Sequence, residues 1–270
     1  MEDVMQADPT VVTALHDAER VAQLAGVVVR ELGEVAEQAE SVRLLSEIWG
    51  RGPESPPVPA ELLRALGRAG NYVAGAFAGG VLVGAAVGFS STPERRALHS
   101  HIAGVSPRHA GRSVGHALKL HQRAWALMHG IDVIEWTFDP LVSRNAYFNI
   151  VKLGALPVEY LANFYGEMAD GINGDDETDR LLVRWRLRSE EVAAAAAGHP
   201  VHADPAARGN VSIAVPPDIE GIRRDDTALA ARWRRTLRES LTGLLDAGGR
   251  VVGFDRTGGY IVHRAEGEDR

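Results

Sequence analysis

The chain has no cysteine. Disulfides, thiolate metal ligands and a nucleophilic thiol are therefore all excluded, and any group transfer is direct or uses another nucleophile. No apolar run approaches the roughly 20 residues that span a membrane. The first residues also lack the basic segment followed by an apolar one that marks a secretory leader. A cytoplasmic protein that meets no membrane is the expectation. Positive charge is in short supply, since 29 Lys and Arg against 36 Asp and Glu give a net charge of −7. That is the wrong sign for a general nucleic-acid binder, so Arg232, Arg234 and Arg235 read as a solvated helix face. The 270 residues are enough to bury the core of one large or two small domains.

The most informative stretch runs from Leu98 to Gly130. Ala97–Val105 alternates small or apolar residues with polar ones and stops at Ser106-Pro107, as a central strand must. After Ala110-Gly111-Arg112-Ser113-Val114-Gly115, apolar residues recur at helical spacing through Val114, Leu118, Trp125 and Met128, closed by Gly130. The first backbone N–H groups of a helix have no partner within it, and the helix dipole adds about half a positive charge there. Gly111 and Gly115 let backbone come close to a phosphate, Ser113 offers a hydroxyl, and Arg108 and Arg112 supply charge. An ordinary strand-to-helix turn with glycines for geometry is the competing reading.

This loop resembles the acyl-CoA pyrophosphate loop of the GNAT superfamily of N-acyltransferases, Arg/Gln-x-x-Gly-x-Gly/Ala after a strand. Gly115 matches the last glycine, Ser113 stands at the middle one and Ala110 at the Arg/Gln position. Gly111 and Arg112 agree with the longer Arg-Gly-x-Gly-x-Gly form. Downstream, Ile131–Phe138 reads as a strand and Asn145–Ala155 is similar to the family's next helix with its closing Lys-Leu-Gly turn. The resemblance covers residues 27–187. It implies acetyl-CoA or another acyl-CoA as co-substrate, with the phosphates on Arg108, Gly111, Arg112, Ser113, Val114 and Gly115. Pantetheine would lie along Ala103, Gly104 and Val105, where a backbone N–H near Gly104 or Val105 polarises the thioester carbonyl. Asn145 matches an asparagine that commonly contacts the coenzyme. The tyrosine that many members use to protonate the departing thiolate sits two residues before the lysine of that turn, and here it is Ile150. Tyr147, Asn149 and Tyr165 become the substitutes, with Asn149 and Tyr165 as the catalytic candidates.

The remaining chain follows the superfamily order. Residues 1–26 read as a short helix or tail. Val27–Leu32 is the first strand and Glu34–Trp49 the first helix, with Val35, Val42, Leu45, Ile48 and Trp49 toward the core. Ala60–Ala69 is a second helix, in the region that shapes the acceptor pocket in GNAT proteins. Asn71–Ala78 and Val81–Ser90 form a hairpin on Gly79-Gly80, with Gly84 and Gly88 marking close approach of another segment. Glu159–Gly166 and Arg180–Leu187 are strands flanking an acidic loop, Asp170–Asp179. Ser189–Gly209 reads as a linker. Val211–Val215, Asp225–Ala247, Arg250–Phe254 and Tyr260–His263 then form a β-α-β-β unit. Its helix buries Leu229, Trp233, Leu237, Leu241 and Leu244 against the main sheet or a second subunit, so a homodimer is one way to cover that face. Domains are expected at 27–188 and 210–270.

Two further groups could do chemistry. His99 and His101 lie two apart on one strand face, which makes His101 a candidate base; a buried histidine satisfied by backbone is the alternative. Asp139 ends a strand where open α/β sheets place ligands, so it could hold an ammonium group or take its proton. Asp139-Pro140 also reads as an N-cap with proline at the first helical position. No metal is expected. His116 and His121 are five apart with no fixed carboxylate nearby, and the acidic loop lacks calcium-ligand spacing.

The expected fold is α/β (α+β), a GNAT-like mixed central sheet flanked by helices with a small C-terminal unit. The expected activity is transfer of an acetyl or succinyl group from CoA to the amine of a small molecule, an amino acid being one class. The tract from Trp136-Thr137-Phe138-Asp139-Pro140 through Asn163-Phe164-Tyr165-Gly166 and Asp179-Arg180-Leu181 resembles a bacterial GNAT subgroup with a C-terminal extension, and that resemblance implies the succinyl and amino-acid options. The runner-up is a non-catalytic acyl-CoA-binding or sensor protein. A third reading gives the loop to a different phosphate ligand.

Overall fold

A computed structural model describes residues 8–166, 176–200 and 202–265. The expected acidic loop falls partly outside these, at residues 170–175. The chain divides into two compact units, residues 1–134 and 135–270.

In the first unit, helix α1 (Pro9–Leu24) starts at Asp8, whose Oδ1 accepts a hydrogen bond from the Thr10 amide at 2.8 Å. Then come β1 (Val28–Glu31), α2 (Val35–Trp49), α3 (Ala60–Arg68), β2 (Val73–Ala78), β3 (Val81–Ser90), β4 (Ala97–Val105) and α4 (Val114–Met128). The four strands are neighbours in chain order and pair antiparallel. Gly79 and Gly80 have φ of 55° and 82°, as a tight hairpin with right-handed strand twist requires. Leu32, Leu63, Val73, Leu82 and Val87 form a core, with Val42, Leu44 and Ile102 packed against it. Val35 differs from expectation: it is the first residue of α2 and remains exposed.

Two glycines in β3 fix how near α4 comes. A Cβ on Gly84 would meet Leu118 at 3.0 Å and Val114 at 3.3 Å, and one on Gly88 would meet the His99 carbonyl at 3.0 Å and Gln122 at 3.3 Å. The helix bearing the glycine loop is therefore seated on bare backbone. Gly104 does the same for α2, because a Cβ there would stand 2.5 Å from Trp49 and 3.0 Å from Ile48.

The second unit holds the end of β5 (Val133–Phe138), then α5 (Ser143–Ala146), a π-helical turn over Tyr147–Lys152, β6 (Leu156–Leu161), β7 (Arg180–Arg186), α6 (Glu190–Ala196), β8 (Asn210–Ile213), α7 (Ile219–Asp225), α8 (Thr227–Asp246), β9 (Arg250–Asp255) and β10 (Gly259–His263). β7 lies between β5 and β6, and β8-β10-β9 form a separate antiparallel sheet. Trp185, fully buried, donates from Nε1 to the Leu153 carbonyl at 2.7 Å and meets Trp136 edge-on.

Several expectations are corrected here. Asp139 does not cap a helix: α5 begins at Ser143 after Val142, and Asp139 Oδ1 instead accepts from the Leu141 amide at 3.0 Å, closing an Asx turn. The strand expected over 159–166 ends at Leu161 and gives way to a turn in which Asn163 has a φ of 44°. The stretch expected to be a linker contains α6, capped by Ser189. The C-terminal segment carries a further helix, α7. Its long helix presents Ala230, Arg234, Leu237 and Leu241 inward, with Leu229, Trp233 and Leu244 only half-buried, and α8 packs on β6 and β8. Arg234 is 1% exposed, so the expected solvated arginine face is wrong for it.

Gly104→Ala should cost about 1–3 kcal/mol by overpacking against Trp49. Thermal unfolding reads this as a melting point several degrees lower, and an unchanged melting point would mean that α2 does not sit on β4 as described.

Candidate functional site

β4 carries a bulge. Val87 pairs with Ile102 and Gly88 with Ser100, which leaves His101 as the extra residue. The bulge re-aims the strand end: His99 and His101 crowd Phe89, with ring centroids 5.0 and 5.8 Å from it and 6.1 Å from each other. Partial burial of its ring lowers the His101 pKa from 6.5, so at neutral pH the imidazole is uncharged and able to accept a proton.

Beyond Val105 the chain turns within eight residues. The Ser106 amide donates to the Val83 carbonyl at 2.9 Å, and a 3₁₀ turn covers Pro107–His109. Gly111 then takes a φ of 76° and Ser113 one of 63°. Ser113 is the residue before α4, and its side chain makes no capping bond to the helix. It thus adopts the left-handed backbone that a glycine would hold at lower cost. Alternating left-handed residues at a helix start turn successive N–H groups toward one point, an arrangement that suits an anion. Arg108, Gly111, Arg112 and Ser113 are exposed around it, Val114 is buried beneath it, and a Cβ on Gly115 would stand 3.7 Å from Val105, an ordinary contact. Ala103, Gly104 and Val105 lead into the loop from β4. The structure therefore brings His101, Ala103–Val105, Arg108 and Gly111–Gly115 onto one continuous strand-loop-helix segment.

Beneath that segment lies a group not anticipated from sequence. Lys119 of α4, 5% exposed, donates from Nζ to Ser100 Oγ at 3.1 Å and to Gln122 Oε1 at 2.8 Å. Burial lowers its pKa from 10.5 to about 7.

The other candidates lie in the second unit. Tyr165 stands in the turn after β6, exposed, with its hydroxyl 3.2 Å from Thr137 Oγ1 of β5. Asn149, in the π-helical turn and 5% exposed, accepts from Trp136 Nε1 at 3.3 Å. Asn145 is in α5, and Ile150 is buried. Asp139 Oδ2 accepts from Arg223 at 2.5 Å and from Arg234 at 3.4 Å, and the same two guanidiniums bind Asp176. Burial works to raise the Asp176 pKa, but the bonds from Arg234 and Arg223 outweigh it and hold it low. A signal for this cluster was present in the sequence: Arg234 falls on the inward stripe of α8, opposite the acidic residues around 176–179.

No protein-family model and no curated protein matches the chain. Solved structures do. An N-acetyltransferase from Staphylococcus aureus Mu50 aligns with a TM-score of 0.50 at 13% identity, over 60% of this chain and 99% of its own. RimJ from Mycobacterium smegmatis, in complex with CoA-disulfide, aligns with a TM-score of 0.50 at 18% identity, over 67% and 93%. The chain has the GNAT fold. Like these structures it is an α/β protein, and a third to two-fifths of its length lies outside the aligned part, since the alignments cover 67% and 60% of it. Among the described residues no helix is long and apolar enough to cross a membrane, and no three His, Asp or Glu side chains are grouped to hold a metal ion.

Two predictions follow from the loop and its helix. Ser113→Gly should stabilise by up to about 1 kcal/mol by relieving the left-handed backbone, and Ser113→Val should destabilise by at least as much; equal melting points for the two would refute the conformation. Lys119 binds a proton in the unfolded chain that the native chain lacks between about pH 7 and 10.5, so stability should rise with pH across that window. Denaturant titrations at pH 7 and 9 should show the rise, and Lys119→Met should flatten it.

Proposed function

We propose that the protein is an acyl-CoA-dependent N-acyltransferase. The observation that carries this reading is the left-handed pair Gly111 and Ser113 at the head of α4, directly after a bulged strand. The coenzyme phosphates take the N–H groups of Gly111–Gly115, with Arg108 and Arg112 at the rim, and pantetheine runs along Ala103–Val105. CoA-disulfide bound to the RimJ structure is in keeping with this choice of ligand. A backbone N–H near Gly104 or Val105 polarises the thioester carbonyl. His101, neutral at physiological pH, takes a proton as the acceptor amine attacks. The C–N bond forms, the C–S bond breaks, and Tyr165 gives the thiolate its proton. Asp139 is left out of proton transfer, because both of its oxygens already accept bonds. Asn145 contacts coenzyme and Asn149 orients its helix through Trp136. The acceptor is a small-molecule amine, with an amino acid as the leading class and acetyl or succinyl as the acyl group. A cysteine-free chain suits a reducing, cytoplasmic setting.

Binding without turnover is the second reading, favoured by buried Ile150 at the position of the usual acid. Thermal unfolding with acetyl-CoA, succinyl-CoA, CoA, ATP and NAD tests the ligand: at 100 times its Kd a ligand adds about 2.7 kcal/mol, several degrees for a protein of this size. The acyl-CoAs should shift the transition; a shift by ATP or NAD alone would end the acyltransferase reading. Thiol release with a panel of amines then separates turnover from binding, and His101→Ala should lower kcat by about 100-fold.

A further inference from the structure

The chain between Asp139 and Lys152 leaves β5 and carries Asn145 and Asn149. Five side chains from residues 220–260 reach it. Arg223 and Arg234 hold the Asp139 carboxylate. Tyr260, fully buried, donates its hydroxyl to the Pro140 carbonyl at 2.7 Å. The Arg256 guanidinium lies 3.9 Å over the Tyr147 ring. On the other side of the exchange, Arg144 of α5 pairs with Glu220 of α7. β9 also packs along the π-helical turn. Arg223 and Arg234 also bind Asp176, and a further arginine, Arg238, reaches the turn that bears Tyr165 by binding Asp179, which in turn accepts from the Asn163 amide at 2.9 Å. Thr178 Oγ1 accepts from the Tyr165 amide at 3.0 Å.

These bonds are not where a merely attached module would make them. They concentrate on short pieces of backbone, 139–147 on one side and 163–166 with 176–179 on the other, and those pieces carry Asp139, Asn145 and Tyr165. We infer that Arg223, Arg234 and Tyr260 are positioning residues for the Asp139–Asn149 segment, so that the C-terminal α7-α8-β9-β10 segment holds the backbone that carries Asn145 and Asn149. This rests on the proposed acyl-CoA reading.

Tyr260→Phe is the informative variant because it removes one hydroxyl and leaves the ring packed edge-on against Phe254. Arg234→Lys keeps the charge and loses the forked geometry. Val262→Ala, a fully buried β10 residue away from the segment, is the control for general destabilisation. Amide hydrogen exchange and acetyl-CoA affinity are measured for all four full-length proteins. In Tyr260→Phe, exchange at residues 141–149 should quicken and the acetyl-CoA Kd rise about three- to tenfold, the range expected for losing one hydrogen bond. Arg234→Lys should do more, and Val262→Ala, at similar melting point, should leave both readings as in the wild type. Unchanged exchange at 141–149, or a Kd shift no larger than the control's, overturns the inference. If the wild type binds no acyl-CoA, the functional reading fails and the exchange data alone decide whether the C-terminal segment holds residues 139–149.

Discussion

Residues 135–270 depend on a desolvated exchange of charge. Arg234 lies inside α8, and a guanidinium taken out of water costs several kcal/mol unless paired with good geometry. Asp139 and Asp176 supply that pairing, and each belongs to a different stretch of chain: one follows β5, the other precedes β7. Satisfying one buried cation thus ties α8 to both, and Arg223 repeats the pattern from α7. Asp179, with no exposed surface, is matched by Arg238 and by the Tyr160 hydroxyl at 2.6 Å. A network of this kind specifies one arrangement more than it adds net stability.

Residues 1–134 obey a different constraint, which is steric. Gly84, Gly88 and Gly104 remove side chains where α4 and α2 meet the sheet, and the depth of that seating fixes where α4 can begin. With the helix start set close to the end of β4, only a short connection with left-handed residues can join them. The cost is accepted at Ser113, in keeping with the tendency of backbone strain to gather where ligands bind.

Elements whose burial follows period were legible in the sequence. β4, α4 and the Gly79-Gly80 hairpin appear where alternation, helical spacing and turn chemistry place them. What stayed hidden were the partners in long-range polar pairings: period can mark Arg234 as an inward position of α8, but it does not name Asp139 or Asp176. Asp139-Pro140 carries a fair cap signature, and only Arg223 and Arg234, 84 and 95 residues away, explain why its carboxylate is used otherwise. Leu237 and Leu241 of α8 are buried as expected, but the first half of its stripe was read one position out of phase, at Leu229 and Trp233 instead of Ala230 and Arg234, because an arginine was taken to be solvated. Lys119 is silent in the sequence, since nothing local announces that Ser100 and Gln122 will enclose its amine.

The π-helical turn over Tyr147–Lys152 bears on how residues in this helix are counted. A π turn takes in roughly one residue more than an α turn for the same advance, so side chains before and after it are offset by about 100° from ordinary helical phase. Counting back from Lys152 and counting forward from Asn145 therefore lead to different faces of the helix. Ile150, reached by the first count, points into the core. Comparison of this helix with straight relatives thus needs superposed backbones, because a gap-free alignment pairs residues that look in different directions.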